Sequence, residues 1–203
     1  MITIVNYGSG NIRAICNILD QIKSPYKIAD SVEELSDAKK LFLPGVGAFD
    51  ETMSVLNHSG FRDVLDQKAL VEKVPVLGIC VGMQILGERS EEGRLPGLGW
   101  IRGDVKKFTK NELLHKPKLP HMGWNSIAIA KVNPILNNLE DGDEFYFLHS
   151  FYFSCEPESI ITTTDYGHTF ASIVNFENIY GIQFHPEKSH LKGLQIFKNF
   201  TEL

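Results

Sequence analysis

Three residues of this chain could do covalent chemistry together. Cys80 stands in Val74-Pro75-Val76-Leu77-Gly78-Ile79-Cys80-Val81-Gly82-Met83-Gln84, where a short buried-strand pattern runs into glycine, cysteine, glycine and then helix-like sequence. That order fits a nucleophile elbow, a sharp strand-to-helix turn that lifts a reactive side chain off a sheet. Far along the chain comes Gln183-Phe184-His185-Pro186-Glu187, a histidine with a carboxylate two positions on. A thiol of ordinary pKa, about 8.5, is mostly protonated near neutrality, so it needs a helix N-terminus or a base to become a nucleophile. His185 could take that proton and deliver it to a leaving amine. Glu187 could hold the imidazole in one tautomer and stabilise the imidazolium. Spacing by two would place both on one face of a strand, although Pro186 favours a strand end or loop.

A tetrahedral intermediate needs N–H donors. Val81 follows the nucleophile directly, and Val46 and Gly47 lie in the glycine turn Gly45-Val46-Gly47, where main chain can approach a ligand closely. The bland readings stand beside these. A cysteine after a strand is often just a small buried apolar residue. Cys16 lies on the apolar face of a helix and reads as core; Cys155 ends an aromatic strand and reads as structural. A metal site from Cys80, His185, Glu187 and His190 lacks a close-spaced ligand pair and is disfavoured. Gly8-Ser9-Gly10-Asn11 follows a strand and opens a helix, but Arg13 stands where a third glycine is required, so a helix-capping turn is preferred over a nucleotide site. No cofactor is expected.

These residues need a frame. The chain has 203 residues, 43% hydrophobic and 22% charged, which fits one globular domain over 1–203. A net charge of −5 argues against nucleic acid or an anionic membrane as a general partner. Three scattered cysteines form no disulfide framework. Met1–Asn6 has no basic stretch before an apolar run, and no apolar run is long enough to span a bilayer, so a reducing cytoplasmic setting is expected.

Residues 2–6 read as a strand, followed by a helix with Ile12, Ile15, Cys16, Leu19 and Ile22 on one face. Lys40–Leu43 and 74–79 read as buried strands; 49–57, 60–72 and 81–88 read as helices. Strands alternating with helices imply a parallel sheet covered on both faces. After a loop at 90–99 the pattern becomes short β-like runs: Ile101–Phe108, Asn125–Ile129, Phe145–Ser154, Ile160–Thr164, Phe170–Asn175 and Ile179–Phe184. These imply an antiparallel extension of the sheet, or a small sheet beside it. A final helix spans Lys192–Phe200.

The Gly78–Gln84 stretch together with Phe184-His185-Pro186-Glu187 resembles the signature of class I, triad-type glutamine amidotransferases. Asn6–Asn11, Leu43–Phe49, Pro120–Asn125 and His185–Ser189 are similar to one branch, the glutaminase subunits of imidazole glycerol phosphate synthases. The resemblance runs from residue 2 to the C-terminus. It implies a three-layer α/β, flavodoxin-like amidotransferase fold, with a mixed central sheet, helices on both faces and a small antiparallel extension. It implies hydrolysis of L-glutamine to glutamate and ammonia through a thioester on Cys80. Substrate contacts would come from Gly47, Gln84, His149, Ser150 and Phe151. Its partner would be a separate (β/α)8-barrel cyclase subunit of the HisF type, forming a heterodimer that receives ammonia for imidazole glycerol phosphate and AICAR formation in histidine biosynthesis. Asn11, Trp124 and Lys188 match positions at the docking face. Relatives commonly carry Tyr at Phe151, so any role for a phenol hydroxyl there is in doubt. Competing readings are a paralogous subunit feeding amidination of a surface-polysaccharide sugar, a non-catalytic regulatory subunit, and a cysteine peptidase or esterase with the same triad.

Overall fold

The structure is a computed structural model that describes residues 1–109 and 118–203. β1 (Ile2–Val5) is buried at every position and leads into α1 (Ile12–Gln21), which buries Ile15, Cys16, Ile18 and Leu19. β2 (Tyr26–Ala29) was not expected from the sequence. It is a short edge strand carrying Lys27, and a charged residue there blunts an exposed edge. β3 (Leu41–Gly45), α2 (Phe49–His58), α3 (Phe61–Asp66) and β4 (Val76–Cys80) follow, with a π-helical turn at Gln67–Val71 after α3.

The helix expected over 81–88 is only α4 (Val81–Gln84). Its continuation fails because the carbonyls of Ile85, Leu86 and Gly87 turn outward to accept N–H groups from Leu98, Trp100, Ile101 and Gly99. β5 (Arg89–Ser90) and β6 (Gly103–Lys107) come next. The expected strand at Asn125–Ile129 is two elements, β7 (His121–Ser126) and β8 (Ala128–Ile129). The single run Phe145–Ser154 is likewise split at Ser150 into β9 (Glu144–His149) and β10 (Phe151–Cys155), which enter different sheets. β11 (Ile160–Asp165), β12 (Thr169–Phe176), β13 (Ile179–Ile182) and α5 (His190–Glu202) complete the chain.

The main sheet has eight strands in the order β2-β1-β3-β4-β13-β12-β11-β8. Its first five strands are mutually parallel; β12, β11 and β8 extend it antiparallel. Both expected forms of the β-rich half are present, because β10-β6-β5 and β7-β9 form two small sheets as well. Consecutive residues Leu41, Phe42 and Leu43 are all fully buried, so both faces of the sheet are covered there. α5 supplies one cover: Phe197 and Phe200 sit 4.9 and 5.3 Å from the Phe42 ring. Burying each such side chain contributes about 1.5–3 kcal/mol.

Candidate active site

β4 ends on Cys80, whose backbone is left-handed at φ 56°, ψ −112°. A non-glycine residue in this region costs about 1–3 kcal/mol, so its surroundings must enforce it. They do so by close backbone packing. A Cβ on Gly82 would lie 1.9 Å from the Leu43 carbonyl oxygen, and one on Gly78 would lie 2.5 Å from that of Gly82. Only glycine lets the chain reverse this tightly against β3. The strained turn leaves Cys80 4% exposed at the carboxyl end of the sheet.

β13 pairs in parallel with β4, Ile182 opposite Ile79, so the chain leaving β13 emerges beside the cysteine. Ligand sites of open α/β sheets lie at this end of the strands. β13 ends at Ile182, and Pro186 opens a short 3-10 turn, Pro186–Lys188. The His185 N–H donates to the Tyr146 carbonyl at 2.8 Å. Ser189 Oγ donates to the His185 carbonyl at 2.7 Å and accepts the Tyr146 N–H at 3.0 Å. With its main chain clamped, the imidazole places Nδ1 2.8 Å from Glu187 Oε1, and both side chains are buried. The ring lines the same cavity as the Cys80 thiol. Burial opposes the imidazolium, but hydrogen bonds and charges from Cys80 and Glu187 outweigh it and lift the His185 pKa to about 10. The structure thus brings the three chemistry-bearing residues together.

Cys80 and His185 border a cavity of about 300 Å³, also lined by Val46, Gly47, Gln84, Glu92, Lys188 and the segment His149-Ser150-Phe151, with Glu187 behind the imidazole. Cys80 Sγ lies 3.9 Å from the Leu148 carbonyl oxygen. Gln84 is buried, and its Nε2 donates to the Phe151 carbonyl and to Gln183 Oε1, both at 3.0 Å. Both amide hydrogens are therefore used within the fold, and Oε1 is the Gln84 atom that can address a ligand. Glu92 escaped sequence reasoning. Its Oε2 accepts the Phe49 N–H at 2.8 Å at the start of α2, while Asp50 accepts the N–H groups of Arg94 and Leu95. Nothing in its spacing marks it, because a loop carries it to the site.

One of the expected oxyanion donors already has a partner. The Val46 N–H donates to Ser9 Oγ at 3.0 Å, and the same hydroxyl lies 3.1 Å from the Val46 carbonyl oxygen, so that N–H is occupied in this structure. Tyr7 Oη also donates to the Pro44 carbonyl. The Gly8–Asn11 turn thus braces the glycine turn after β3. It also places Asn11 at the N-cap position of α1, as expected, although the Asn11 side chain makes no cap hydrogen bond. Gly47 lies at φ +94°, and no hydrogen bond engages its N–H among the described residues.

The candidate docking residues are all solvent-facing. Asn11 is exposed, Trp124 is 45% exposed and stacks on His190, and exposed Lys188 puts Nζ 5.5 Å from the Tyr146 ring centre at the cavity mouth. Cys16 is buried in the core. Burial, then Glu156, pushes the Cys155 thiol up to about 12, away from reactivity.

A parallel sheet with a strained cysteine at its carboxyl end and a carboxylate-bound histidine beside it defines the class of triad-type amide-splitting enzymes built on an α/β frame. Comparison with known proteins agrees. The family model for class I glutamine amidotransferases matches residues 3–203. The imidazole glycerol phosphate synthase subunits HisH of Leptospira borgpetersenii and of Bdellovibrio bacteriovorus are each 47% identical over 204 residues, covering all of both chains. Among solved structures, PurLQS from Thermotoga maritima has a TM-score of 0.75 at 17% identity, covering 99% of this chain and 97% of that one. The crystal structure of a glutamine amidotransferase from Thermotoga maritima has a TM-score of 0.63 at 14% identity, covering 99% of this chain and 82% of that one. The chain belongs to the class I glutamine amidotransferase family, and within it to the branch of the HisH subunits.

Proposed function

We propose that this chain, acting as a single amidotransferase unit, is the glutaminase subunit of an imidazole glycerol phosphate synthase. Cys80, as thiolate, attacks the side-chain amide carbon of L-glutamine. His185 holds the thiol proton and passes it to the departing nitrogen, which leaves as ammonia. The thioester remaining on Cys80 is hydrolysed by water, with His185 now taking a proton from the water and returning it to the sulfur as glutamate leaves. Glu187 keeps Nδ1–H pointed at itself and balances the imidazolium charge. Val81 and Gly47 supply N–H groups to the oxyanion, each donor contributing about 2.7–4 kcal/mol to such transition states. Val46 can join them only after leaving Ser9. Gln84, Glu92 and the main chain of His149-Ser150-Phe151 hold the amino-acid part of the substrate.

Ammonia released into water near neutral pH becomes ammonium, which is not a nucleophile. The product is therefore handed to a HisF-type (β/α)8-barrel cyclase subunit docked over Asn11, Trp124 and Lys188, in a cytoplasmic heterodimer that serves histidine biosynthesis. The observation that carries this reading is the buried His185, which lines one cavity with Cys80 and lies 2.8 Å from Glu187. The test is Cys80→Ser in the reconstituted heterodimer. Glutamine-dependent synthesis should vanish while synthesis from added ammonium salts persists; loss of both would sink the division of labour. Rescue of a histidine auxotroph by the wild-type gene separates this assignment from the sugar-amidination paralogue.

A further inference from the structure

A pair of histidines that the triad does not use begins in the cavity wall, at His149, and runs back from it to His121. His121 opens β7 and His149 closes β9, directly opposite in the antiparallel register. Both are buried, at 2% and 6% exposure. Their rings meet through Nδ1 of His121 and Nε2 of His149, 2.9 Å apart. His149 Nδ1 lies 2.8 Å from the Phe151 carbonyl oxygen, which can only accept, so His149 carries its hydrogen on Nδ1.

The other end of the pair is fixed as well. Asn125 Oδ1 accepts the Ser126 N–H at 2.9 Å, which identifies Nδ2 as its donor end. That Nδ2 donates to the Asp165 carbonyl at 2.8 Å and lies 3.2 Å from His121 Nε2. His121 Nε2 is therefore the acceptor and His121 Nδ1 the donor. Hydrogens run one way, from Asn125 through His121 and His149 to Phe151. A proton added to either ring would set N–H against N–H in a buried site. In keeping with this, burial and the neighbouring His121 and His185 hold the His149 pKa down to about 3 against the favourable Phe151 bond.

The carbonyl at the end of this chain also receives Gln84 Nε2, and both His149 and Phe151 line the cavity beside Cys80. Ser150 between them is where the chain leaves one sheet for another, so no ladder bonds fix it. We propose that His121, which does not itself line the cavity, is a positioning residue of the glutamine site. By donating Nδ1–H to His149 it fixes the tautomer that holds the Phe151 carbonyl, and so sets the substrate-binding wall.

This inference rests on the glutaminase reading, and its test separates the two. His121→Phe keeps the ring stack on Phe147 and Tyr166 (centroids 4.8 and 3.9 Å) but removes the donor. Leaving His149 Nε2 unpaired should raise KM for glutamine about tenfold, with kcat changed by less than about threefold. His121→Asn puts an amide N–H at the Nδ1 position and should restore KM to within about threefold, whereas His121→Gln, whose amide reaches the Nε2 position, should behave like the phenylalanine variant. Steady-state glutaminase assays on the heterodimer supply these numbers. Long-range ¹H–¹⁵N spectra of the wild-type heterodimer should show His149 protonated at Nδ1 only, and a tautomer mixture in His121→Phe. An Nε2–H tautomer in the wild type, an unchanged KM in His121→Phe, or equal rescue by asparagine and glutamine would overturn the inference. A wild-type complex that releases no glutamate would instead overturn the glutaminase reading, and the ring-nitrogen shifts would still decide the role of His121.

Discussion

Replacing Glu187 by glutamine isolates what the carboxylate contributes. The substitution keeps shape and volume but removes a charge 2.8 Å from His185 Nδ1 in a site where both side chains are buried. Hydrogen bonds to charged groups are worth about 1.5–3 kcal/mol and neutral ones about 0.5–1.5. The exchange should therefore weaken the hold on the imidazolium by about 1–1.5 kcal/mol, or about one pKa unit. The amide has two orientations, and both cost activity. Glu187 Oε2 is buried without a hydrogen-bond partner among the described residues. If the amide nitrogen occupies that position, Nδ1–H keeps its acceptor, a donor is buried unpaired, and kcat falls about tenfold for the one-unit pKa loss. If the nitrogen faces His185 instead, Nδ1 must give up its hydrogen, Nε2 can no longer take the thiol proton, and the loss approaches the roughly 10⁴-fold seen when the orienting carboxylate of a protease triad becomes an amide. Glutamate release by the heterodimer, measured from pH 6 to 10, gives kcat directly. The sign for stability follows from a raised folded-state pKa. The His185 contribution is full below about pH 6.5 and disappears as pH rises through about 10. The variant should lose stability against wild type near neutrality and match it at the alkaline end. A variant that keeps kcat within twofold of wild type would refute the assigned role of Glu187.

Other substitutions test the frame. Gly82→Ala forces a methyl group against the Leu43 carbonyl and should cost more than about 3 kcal/mol in urea unfolding, or prevent folding; a loss under 1 kcal/mol would show that the elbow can relax. Asp50→Ala removes the acceptor for Arg94 and Leu95 that ties down the loop bearing Glu92, and should raise KM for glutamine about tenfold with little change in kcat. Trp124→Ala removes the largest exposed aromatic of the proposed docking face and should weaken binding to the cyclase by about 2 kcal/mol or more, measured by titration calorimetry, while leaving the thermal midpoint of the isolated chain within a few degrees.

How much of this could be read from residues alone varies with the distance over which the information acts. The elbow was legible because Gly78, Cys80 and Gly82 are local neighbours whose types state the backbone they need. β3 and β4 were legible because burial on both faces leaves unbroken apolar runs. β7 was misplaced because His121-Met122-Gly123-Trp124 has no strand-like composition; it is extended because it pairs with β9. The Phe145–Ser154 run looked continuous because both halves are aromatic, and only the three-dimensional arrangement divides it at Ser150. The brace from Ser9 to Val46 and the arrival of Glu92 at α2 join segments far apart in sequence. Neither leaves a pattern in either segment.

The order of strands has a consequence for the life of the chain. The thiol is synthesised early and the imidazole late, and β13, which carries the latter toward its place, must slot between β4 and β12 before the two can meet. If His185 is the base of Cys80, a polypeptide cut short before Ile179 has the sulfur without its base and cannot hydrolyse glutamine. On the proposed mechanism, ribosome-stalled fragments ending before that strand should resist alkylation by glutamine-like electrophiles that label the folded protein.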